Sequence, residues 1–412
     1  MSEELILRGK APRFRLAILA SHPIQYQAPL FRLLAKQSEI DLTVLFCSDW
    51  GLKEYTDKGF GQKFKWDINL LDGYQYKFLK NISFFPNMST FWGLINPSII
   101  KILNKKDFDA VWIHGWARFS DWISIITCIL KGIPILLRGE SNLLPKILLW
   151  KQIIKRIILG CLFKNVAAFL AIGKYNTEFY EFYGVPKEKI FLVPYTVDND
   201  FFISKAEELL PKKDEIRKEY NVPIDLPLIM FSGKLIPQKK PMDLLKAFEI
   251  LSKEIKAGLM FVGDGILRKE LENYCSKNNL AHVYFMGFRN QTELPKFYAM
   301  SDVFVLPSSH EPWGLVVNEA MCFKLPVIVS DQVGASRDLV KEGVNGFVYA
   351  AGNVSALSSK LKILLYEKEK IKSFGQISKE IITEWSYNKG VLNIIEYLGA
   401  TFCKISRSKV IV

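Results

Sequence analysis

Residues 303–348 constrain the fold of this chain most strongly, because they read as a buried strand followed directly by a helix. Residues 303–306 are apolar and partly β-branched, and Pro307 with two serines ends the run. From Gly314 onward the pattern is typical of a helix. The first half of the chain repeats the alternation, with predicted strands at 14–20, 41–46, 109–113, 133–137 and 167–172 and helices at 29–36, 119–130 and 175–182. Such alternation predicts parallel, doubly wound α/β sheets.

Two glutamates lie eight positions apart across this junction. Glu311 falls in the loop at the carboxyl end of the predicted strand, which is the edge where open α/β sheets bind ligands. Glu319 falls among apolar helix residues, so we expect its carboxylate to be half-buried and to need a hydroxyl or cationic partner. Taken alone, this spacing is more often a helix cap and a solvated helix residue.

The surroundings of the two glutamates resemble the donor-site signature of retaining glycosyltransferases of family 4, which have the GT-B fold of two facing Rossmann-like domains. The matching segments follow the family's order over residues 228–350. They are FSGKLIPQK at 231–239, FVGDG at 261–265, VYFMG at 283–287, LPVI at 325–328 and GVNGF at 343–347. The resemblance implies two parallel doubly wound sheets and a C-terminal helix that crosses back to the first domain.

The resemblance also implies a site for a nucleoside diphosphate sugar. Glu311 and His114 are the expected catalytic pair, both on the transferred sugar, and Glu319 is expected on the ribose. A lone histidine after an apolar strand is otherwise more often structural. The expected diphosphate-binding residues are Gly233, Lys234, Lys239, Trp313, Gly314 and Leu315, the last three through backbone N–H groups at a helix start. Phe288 and Arg289 lie where the family holds the nucleobase.

Two departures from the family pattern affect this site. Lys234 stands where the family usually has arginine, and lysine cannot chelate two oxygens. The Gly-Gly loop after the first strand is replaced by SHPIQYQ at 21–27, so Gln25 and Tyr26 are predicted to define the acceptor mouth. Arg138 is a further acceptor-side candidate. The alternative, slightly favoured, is that Arg138 pairs structurally with Glu140.

The length of 412 residues suits two domains. We predict a first, acceptor domain at 1–200 and a linker at 201–227. The nucleotide-sugar donor domain is predicted at 228–378, and a crossing helix with the tail at 379–412. Residues 48–96, rich in glycine and aromatic residues, are predicted to be an irregular insertion that forms the acceptor lip.

The net charge is +13, and a basic apolar segment at 143–164 contains five cations and no acid. Its helix at 146–164 is either an amphipathic helix in an anionic membrane interface or a packing helix with a solvated basic edge. Trp150 and the high local hydrophobicity favour the membrane. Cations interrupt every apolar run, so the segment is not a spanning helix.

Several ligand classes are disfavoured. The four histidines show no metal-ligand spacing, so we expect no metal and no cofactor. No nucleic-acid-binding module is recognisable. Six cysteines without a C-x-x-C pair predict reduced core residues, and no signal peptide is evident. We therefore expect a cytoplasmic protein, peripheral on the inner face of the cell membrane.

The predicted function is transfer of a sugar, with retention of configuration, from a nucleoside diphosphate sugar to a glycan or lipid-linked acceptor. Surface polysaccharide or glycolipid assembly is the expected setting. One alternative is a catalytically silent GT-B partner that only binds nucleotide sugars. Another is a Rossmann oxidoreductase, but the required G-x-G-x-x-G loop is not found after the first strand.

Overall fold

The computed structural model describes residues 13–52, 54–57, 62–145 and 148–409. These residues form two α/β domains that face each other across a cleft, and each domain is built on a parallel sheet. Two facing α/β domains with parallel sheets, followed by C-terminal helices, confirm the predicted fold class. No helix in the described ranges is long and apolar enough to cross a membrane.

The first domain contains the strands β1 (Phe14–Ala20), β2 (Ile40–Phe46), β3 (Tyr55–Asp57), β4 (Gln62–Phe64), β5 (Gln75–Phe78), β6 (Ala110–His114), β7 (Ile135–Arg138), β8 (Ala168–Ala171) and β9 (Ile190–Leu192). Among the described residues, seven of them pair in parallel in the order β5-β2-β1-β6-β7-β8-β9. β3 and β4 form a separate antiparallel pair. The carboxyl ends of the seven parallel strands therefore meet at one edge of the sheet.

The helices of this domain are α1 (Ala28–Ala35), α2 (Ile99–Ile102), α3 (Phe119–Lys131), α4 (Leu149–Lys164) and α5 (Lys174–Phe182). Side chains alternate along β1, so Leu16 and Ile18 lie in the core shared with α1, whereas Ala17 and Leu19 lie in the core shared with α3, α4 and α5. Both faces of the sheet are thus covered. Such double coverage explains why its strands read as continuous apolar runs.

Strand β7 begins two residues later than predicted. Gly132 adopts the left-handed conformation, with φ 63°, and ends α3. The N–H of Ile133 then donates to the carbonyl of Cys128 at 2.9 Å, which makes Ile133 part of the helix cap. The strand starts only after Pro134.

The second domain contains β10 (Leu228–Ser232), α8 (Pro241–Ser252), β11 (Gly258–Val262), α9 (Arg268–Lys277), β12 (Val283–Phe285), α10 (Leu294–Met300), β13 (Val303–Leu306), α11 (Leu315–Cys322), β14 (Val327–Ser330), α12 (Ser336–Leu339), β15 (Gly346–Tyr349) and α13 (Val354–Tyr366). The described strands pair in parallel in the order β12-β11-β10-β13-β14-β15. The order reverses between β10 and β13, which is where open α/β sheets bind ligands.

The predicted linker at 201–227 is largely helical. Helix α6 (Asn199–Leu209) is capped by Asp198, whose side chain accepts a hydrogen bond from the Phe201 N–H, and α7 (Lys213–Glu219) follows. Phe202 on α6 is buried in the core of the second domain. The connection is therefore packed against that domain.

Two C-terminal helices, α14 (Lys368–Glu384) and α15 (Tyr387–Lys409), link the domains. α14 packs on α11 and α13, whereas α15 packs on α1 and β9. The chain thus crosses at residues 385–386. The Trp385 indole donates to the Tyr195 carbonyl at 3.0 Å, and Tyr387 donates to the Thr196 carbonyl at 2.9 Å, which fixes the crossing against the first domain.

Candidate active site

The switch-point edge of the second sheet faces a cavity of about 390 Å³ in the cleft. Loops after β10 and β13 and the start of α11 form one wall, and the first domain forms the other. The lining residues include Gln25, Tyr26, Glu140, Tyr195, Gly233, Lys234, Lys239, Gln291, Glu311, Trp313, Gly314, Leu315 and Glu319. We call this the donor-side cavity. It brings together the predicted diphosphate and ribose residues, Glu311, and the acceptor-side candidates Gln25 and Tyr26.

Glu311 is positioned by backbone pairing with the loop after β14. Its N–H donates to the Gln332 carbonyl and its own carbonyl accepts from Gly334, both at 3.0 Å. The carboxylate forms an ion pair with the Lys239 ammonium. The predicted sugar contact and one predicted phosphate contact are thus direct partners of each other, a pairing that the sequence did not indicate.

Gly314 forms the tight turn directly before α11, next to the cavity. It has φ 99°, a left-handed conformation that favours glycine, and an added Cβ would lie 2.9 Å from Leu306 Cδ2. Leu315 then begins the helix, and Leu315 and Val316, whose N–H groups precede the first hydrogen bond of the helix, line the cavity. These donors suit an anion such as a diphosphate.

Trp313 contributes backbone to the cavity while its side chain is structural. The indole Nε1–H donates to Asn318 at 2.9 Å, and the ring stacks on Trp385 with centroids 5.4 Å apart. Since Trp385 lies at the domain crossing, Trp313 connects the loop between β13 and α11 to the C-terminal helices.

Glu319 lies on the second turn of α11 and is only 7% exposed, which is more buried than the sequence predicted. It accepts a hydrogen bond from the Tyr298 hydroxyl at 2.6 Å, so the expected hydroxyl partner is present within the protein. Burial raises the pKa of this carboxyl to about 7, against the opposing effect of the Tyr298 hydrogen bond. The free carboxyl group therefore titrates near neutral pH.

Phe288 and Arg289 are not among the residues that line this cavity. Arg289 donates to the Met286 carbonyl at 3.0 Å and pairs with Glu293, so its guanidinium is directed along its own loop. Gln291, two residues further on, is buried and lines the wall instead. Asn290 donates to the Lys65 carbonyl and thereby joins this loop to the predicted insertion.

A second cavity of about 540 Å³ lies beside the first, on the first-domain side of the cleft. We call it the first-domain cavity. Loops after β1, β6 and β7 supply most of its lining, which includes Ser21, His22, Tyr26, Gln27, His114, Trp116, Arg118, Arg138, Glu140, Asn142, Lys155, His310 and Pro312. Tyr26, Glu140 and Pro312 line both cavities, so the two meet.

His114 ends β6 and lines the first-domain cavity. Its ring stacks on Trp112, with centroids 5.1 Å apart, and its Nδ1 lies 3.5 Å from the Gln27 side-chain nitrogen. Burial, together with the positive charges of Arg138 and Arg118, lowers the pKa of the imidazole to about 3. His114 is therefore neutral at physiological pH and can serve as a hydrogen-bonding group.

Arg138 ends β7 and is 5% exposed. Its guanidinium lies over the rings of Trp112 and Tyr195, at 5.7 and 5.4 Å from their centroids. The Glu140 carboxylate accepts from the Tyr195 hydroxyl at 2.6 Å. Within the described residues, Arg138 and Glu140 form no direct ion pair, so the predicted structural pairing is not seen, although the Glu140 charge still attracts the buried guanidinium.

Sequence reasoning missed several residues of the first-domain cavity, namely Gln27, Arg118, Asn142 and Lys155. Arg118 and Asn142 follow β6 and β7 at the same sheet edge as His114 and Arg138. Because open α/β sheets bind ligands at the carboxyl ends of their strands, the sequence could have indicated Arg118 and Asn142 as well. Lys155 belongs to α4, for which the sequence predicts either a membrane-interface helix or a packing helix with a solvated basic edge. Among the described residues, no group of three or more His, Cys, Asp and Glu side chains could hold a metal ion.

Fold and site together define a GT-B protein with a ligand cavity at the switch point of its second sheet. Residues 212–381 match the family model for glycosyl transferases group 1, so this part of the chain is a glycosyl transferases group 1 domain. The chain is 32% identical over 165 residues to an uncharacterised glycosyltransferase of Methanocaldococcus jannaschii, covering 40% of this chain and 46% of that protein.

A D-inositol 3-phosphate glycosyltransferase of Xylanimonas cellulosilytica is 30% identical over 190 residues, which are 44% of each protein. The match with these curated relatives thus spans less than half of their length. Among solved structures, Anabaena Alr3699/HepE in complex with UDP and glucose superposes with a TM-score of 0.70 at 16% identity, covering 94% of this chain and all of that one. At this identity the likeness concerns the fold.

Proposed function

We propose that this protein is a glycosyltransferase that moves a sugar from a nucleoside diphosphate sugar to a glycan or lipid-linked acceptor. The observation that carries the proposal is the donor-side cavity, where Glu319, the Lys239–Glu311 pair and the start of α11 line one wall. The group 1 domain supports it. The UDP and glucose present with the structurally similar Anabaena protein favour a nucleoside diphosphate sugar as donor.

The diphosphate, the ribose and the sugar of the donor each have a matching group in this cavity. First-turn N–H groups of α11 and the ammonium groups of Lys234 and Lys239 neutralise the diphosphate, whose negative charge grows as the sugar leaves. Glu319 accepts hydrogen bonds from the ribose hydroxyls. Glu311 holds the sugar ring and stabilises positive charge at the anomeric carbon.

The first domain completes the site by presenting the acceptor. His114 is neutral, so it hydrogen-bonds the transferred sugar without adding positive charge near the anomeric carbon. Gln25 and Tyr26 line the junction from which an acceptor hydroxyl can approach. Retention follows if the acceptor attacks on the face from which the diphosphate leaves, and a phosphate oxygen then takes the acceptor proton.

The test is release of free nucleoside diphosphate from a panel of nucleotide sugars, each with and without glycan and lipid-linked acceptors. Acceptor-dependent release is expected for at least one donor. Donor-dependent thermal stabilisation without any release favours a silent nucleotide-sugar-binding partner. The anomeric configuration of the isolated product then decides between retention and inversion.

We further propose that the protein lies peripherally on the cytoplasmic, anionic face of the cell membrane, where a surface glycan or glycolipid is assembled. Helix α4 supports this, although residues 146–147 of the predicted helix lie outside the described residues. Its exposed apolar side chains include Leu149, Trp150, Ile153, Ile154, Ile157 and Ile158. Only Leu159, Leu162 and Phe163 of this helix are buried against the sheet.

Vesicle sedimentation tests the membrane contact. Changing Lys151, Arg156 and Lys164 to Gln is expected to reduce binding to anionic vesicles, because each basic residue near the surface contributes roughly 1 kcal/mol. Changing Lys253, Lys256 and Lys277, on the second domain, to Gln is the matched control. Equal sedimentation of both triple variants and the unchanged protein reassigns α4 to packing.

A further inference from the structure

The first-domain cavity carries a surplus of positive charge. Arg118, Arg138 and Lys155 line it, and Glu140 is its carboxylate, already engaged by the Tyr195 hydroxyl. Burial lowers the pKa of His22 to about 4 and of His114 to about 3, so neither imidazole adds charge at neutral pH. The buried carboxyl of Asp121, behind the Arg118 loop, accepts from the Arg118 backbone N–H at 3.0 Å.

The same cavity concentrates polar atoms that lack partners. Within the described part of the chain, nine buried side-chain polar atoms have no hydrogen-bond partner. Five of the nine belong to residues that line this cavity, namely Gln27, His114, Arg118, Arg138 and Asn142. Buried polar groups are normally hydrogen-bonded, so such a cluster indicates a site where a bound ligand supplies the missing partners.

Arg138 is the residue of this cluster that carries a buried positive charge. It is 95% buried, aromatic rings cover its faces, and its Nη1 has no hydrogen-bond partner within the described residues. A buried charge without a hydrogen-bonded counter-charge is costly, and guanidinium geometry matches a carboxylate or a phosphate. Glu140 attracts the guanidinium without bonding to it, so a further anion is the group that best fits the unpartnered Nη1.

The remaining unpartnered atoms fit hydroxyl groups. The Gln27 Oε1 atom can only accept, and the Asn142 side-chain nitrogen can only donate. The His114 Nδ1 atom faces the Gln27 amide nitrogen, which makes Nδ1 the acceptor and Nε2 the donor of the neutral ring. A hydroxyl both donates and accepts, so hydroxyls of the transferred sugar, for His114, and of the acceptor, for Gln27 and Asn142, satisfy all three.

We propose that the first-domain cavity binds the acceptor through an anionic group, a carboxylate or a phosphate, held by Arg138 with Arg118 and Lys155 beside it. This deepens the proposed function, on which it rests, by giving the acceptor a chemical class. The anion lies on a hydroxylated unit, whose free hydroxyl reaches the donor-side cavity where the two cavities meet. The cavity volume of about 540 Å³ is within the range of small-molecule sites.

The test measures thermal stabilisation of the full chain by four probes added separately. Glucuronate represents a glycan-borne carboxylate, decyl phosphate below its micellar concentration represents a lipid phosphate, glucose is the neutral control, and UDP reports on the donor-side cavity. At least one anionic probe is expected to bind more tightly than glucose. Which anionic probe binds decides between a glycan and a lipid source.

Arg138→Gln is expected to lower the affinity for the anionic probe roughly 10- to 100-fold, because one charge-assisted contact is lost. If Arg138→Gln does not fold, Lys155→Gln still tests the proposal, because the Lys155 side chain is partly exposed. Lys155→Gln should lower the affinity for the anionic probe by a smaller factor. Arg15→Gln is the matched control, because Arg15 pairs with Asp109 at the opposite edge of the same sheet. Its affinity should equal that of the unchanged chain.

Equal binding of glucose and both anionic probes overturns the proposal, as does unchanged anion affinity in folded Arg138→Gln and Lys155→Gln. The UDP measurement tests the proposed function independently of the anion site. A chain that binds the anion through Arg138 but shows no affinity for UDP or other nucleoside diphosphates contradicts the proposed function while supporting the anion site.

Discussion

The two cavities of the cleft differ in how their polar groups are satisfied. In the donor-side cavity, Lys239 pairs with Glu311, and Glu319 accepts from Tyr298. In the first-domain cavity, buried polar atoms of Arg138, His114 and neighbouring residues have no partner among the described residues. Donor binding therefore exchanges internal contacts for ligand contacts, whereas the first-domain cavity offers polar atoms that have no internal hydrogen bond to lose.

The donor-side and first-domain cavities therefore gain specificity in different ways. A preformed ion pair keeps the donor-side groups in place but competes with the ligand for the same atoms. Unpartnered buried groups disfavour any occupant that does not satisfy them, because every mismatch leaves a buried polar group without a hydrogen bond. We therefore expect the first-domain cavity to discriminate sharply between acceptors.

The largest effect is expected from Glu311→Gln. The amide keeps the shape but loses the charge that holds Lys239 and stabilises the anomeric centre, so kcat should fall roughly 10²- to 10³-fold. Steady-state kinetics checks this once an active donor is known. Glu369→Gln, at an exposed position on α14, is the control, and near-normal turnover of Glu311→Gln removes Glu311 from the chemistry.

Replacement of Lys239 tests the internal competition directly. Lys239→Met should weaken nucleoside diphosphate binding by about 1.5–3 kcal/mol, the value of a charge-assisted hydrogen bond. Because Lys239 and Glu311 are partners, the double variant Lys239→Met with Glu311→Gln should deviate from additivity by about 0.5–3 kcal/mol in calorimetric titration. Strict additivity means that the pair does not form.

Gly314→Ala tests the turn that aims α11 at the donor. Both Gly314 and Gly343 have positive φ, but an added Cβ meets Leu306 at Gly314 and meets nothing within 4 Å at Gly343. Gly343→Ala should cost about 1–2 kcal/mol of unfolding free energy from backbone strain alone. Gly314→Ala should cost at least about 1 kcal/mol more. Equal denaturant midpoints for the two variants contradict the tight packing of this turn.

Glu319 should give nucleoside diphosphate binding a pH dependence. Ribose hydroxyls stabilise the ionised carboxylate, so binding requires loss of the proton that is held with a pKa of about 7. Affinity should fall roughly tenfold between pH 8 and pH 6 by proton linkage. Glu319→Gln should remove this component, leaving only the titration of the phosphate, and identical pH profiles for the two chains contradict the assignment.

The same carboxyl affects folding with a defined sign. Because the pKa in the folded chain exceeds the ordinary glutamate value, folding favours the protonated form. The stability contribution of Glu319 is fully present at low pH and is lost as pH rises through about 7. Melting of Glu319→Gln against the unchanged chain should show the larger relative gain at pH 8 and the smaller at pH 5.

Much of the donor side could be predicted from sequence, because its requirements are local. The turn at Gly314 needs a glycine, and Glu311 and Glu319 lie on one continuous strand-loop-helix unit. The partners Lys239 and Tyr298 were not predictable as such, since each contact joins residues that are distant in sequence. Local pattern thus identified the groups but not their pairing.

The first-domain cavity was less predictable because no single segment encodes it. Its lining comes from the ends of β1, β6 and β7 and from α4, and only the sheet order brings these together. His114 and Arg138 were found because each directly ends a strand. Gln27 and Lys155 lie on a loop and a helix that the sequence indicates, but the orientation of each side chain depends on packing, so the residue pattern did not show that they line this cavity.

The division of the cleft into a donor half and an acceptor half is tested most directly by calorimetric titration of UDP into the unchanged chain, Glu319→Gln and Arg138→Gln at pH 8. The account predicts that Glu319→Gln weakens UDP binding at least roughly tenfold, as expected for a lost charge-assisted contact, while Arg138→Gln binds UDP like the unchanged chain. Strong loss of UDP affinity in Arg138→Gln with none in Glu319→Gln would place the nucleotide in the first-domain cavity and contradict the account.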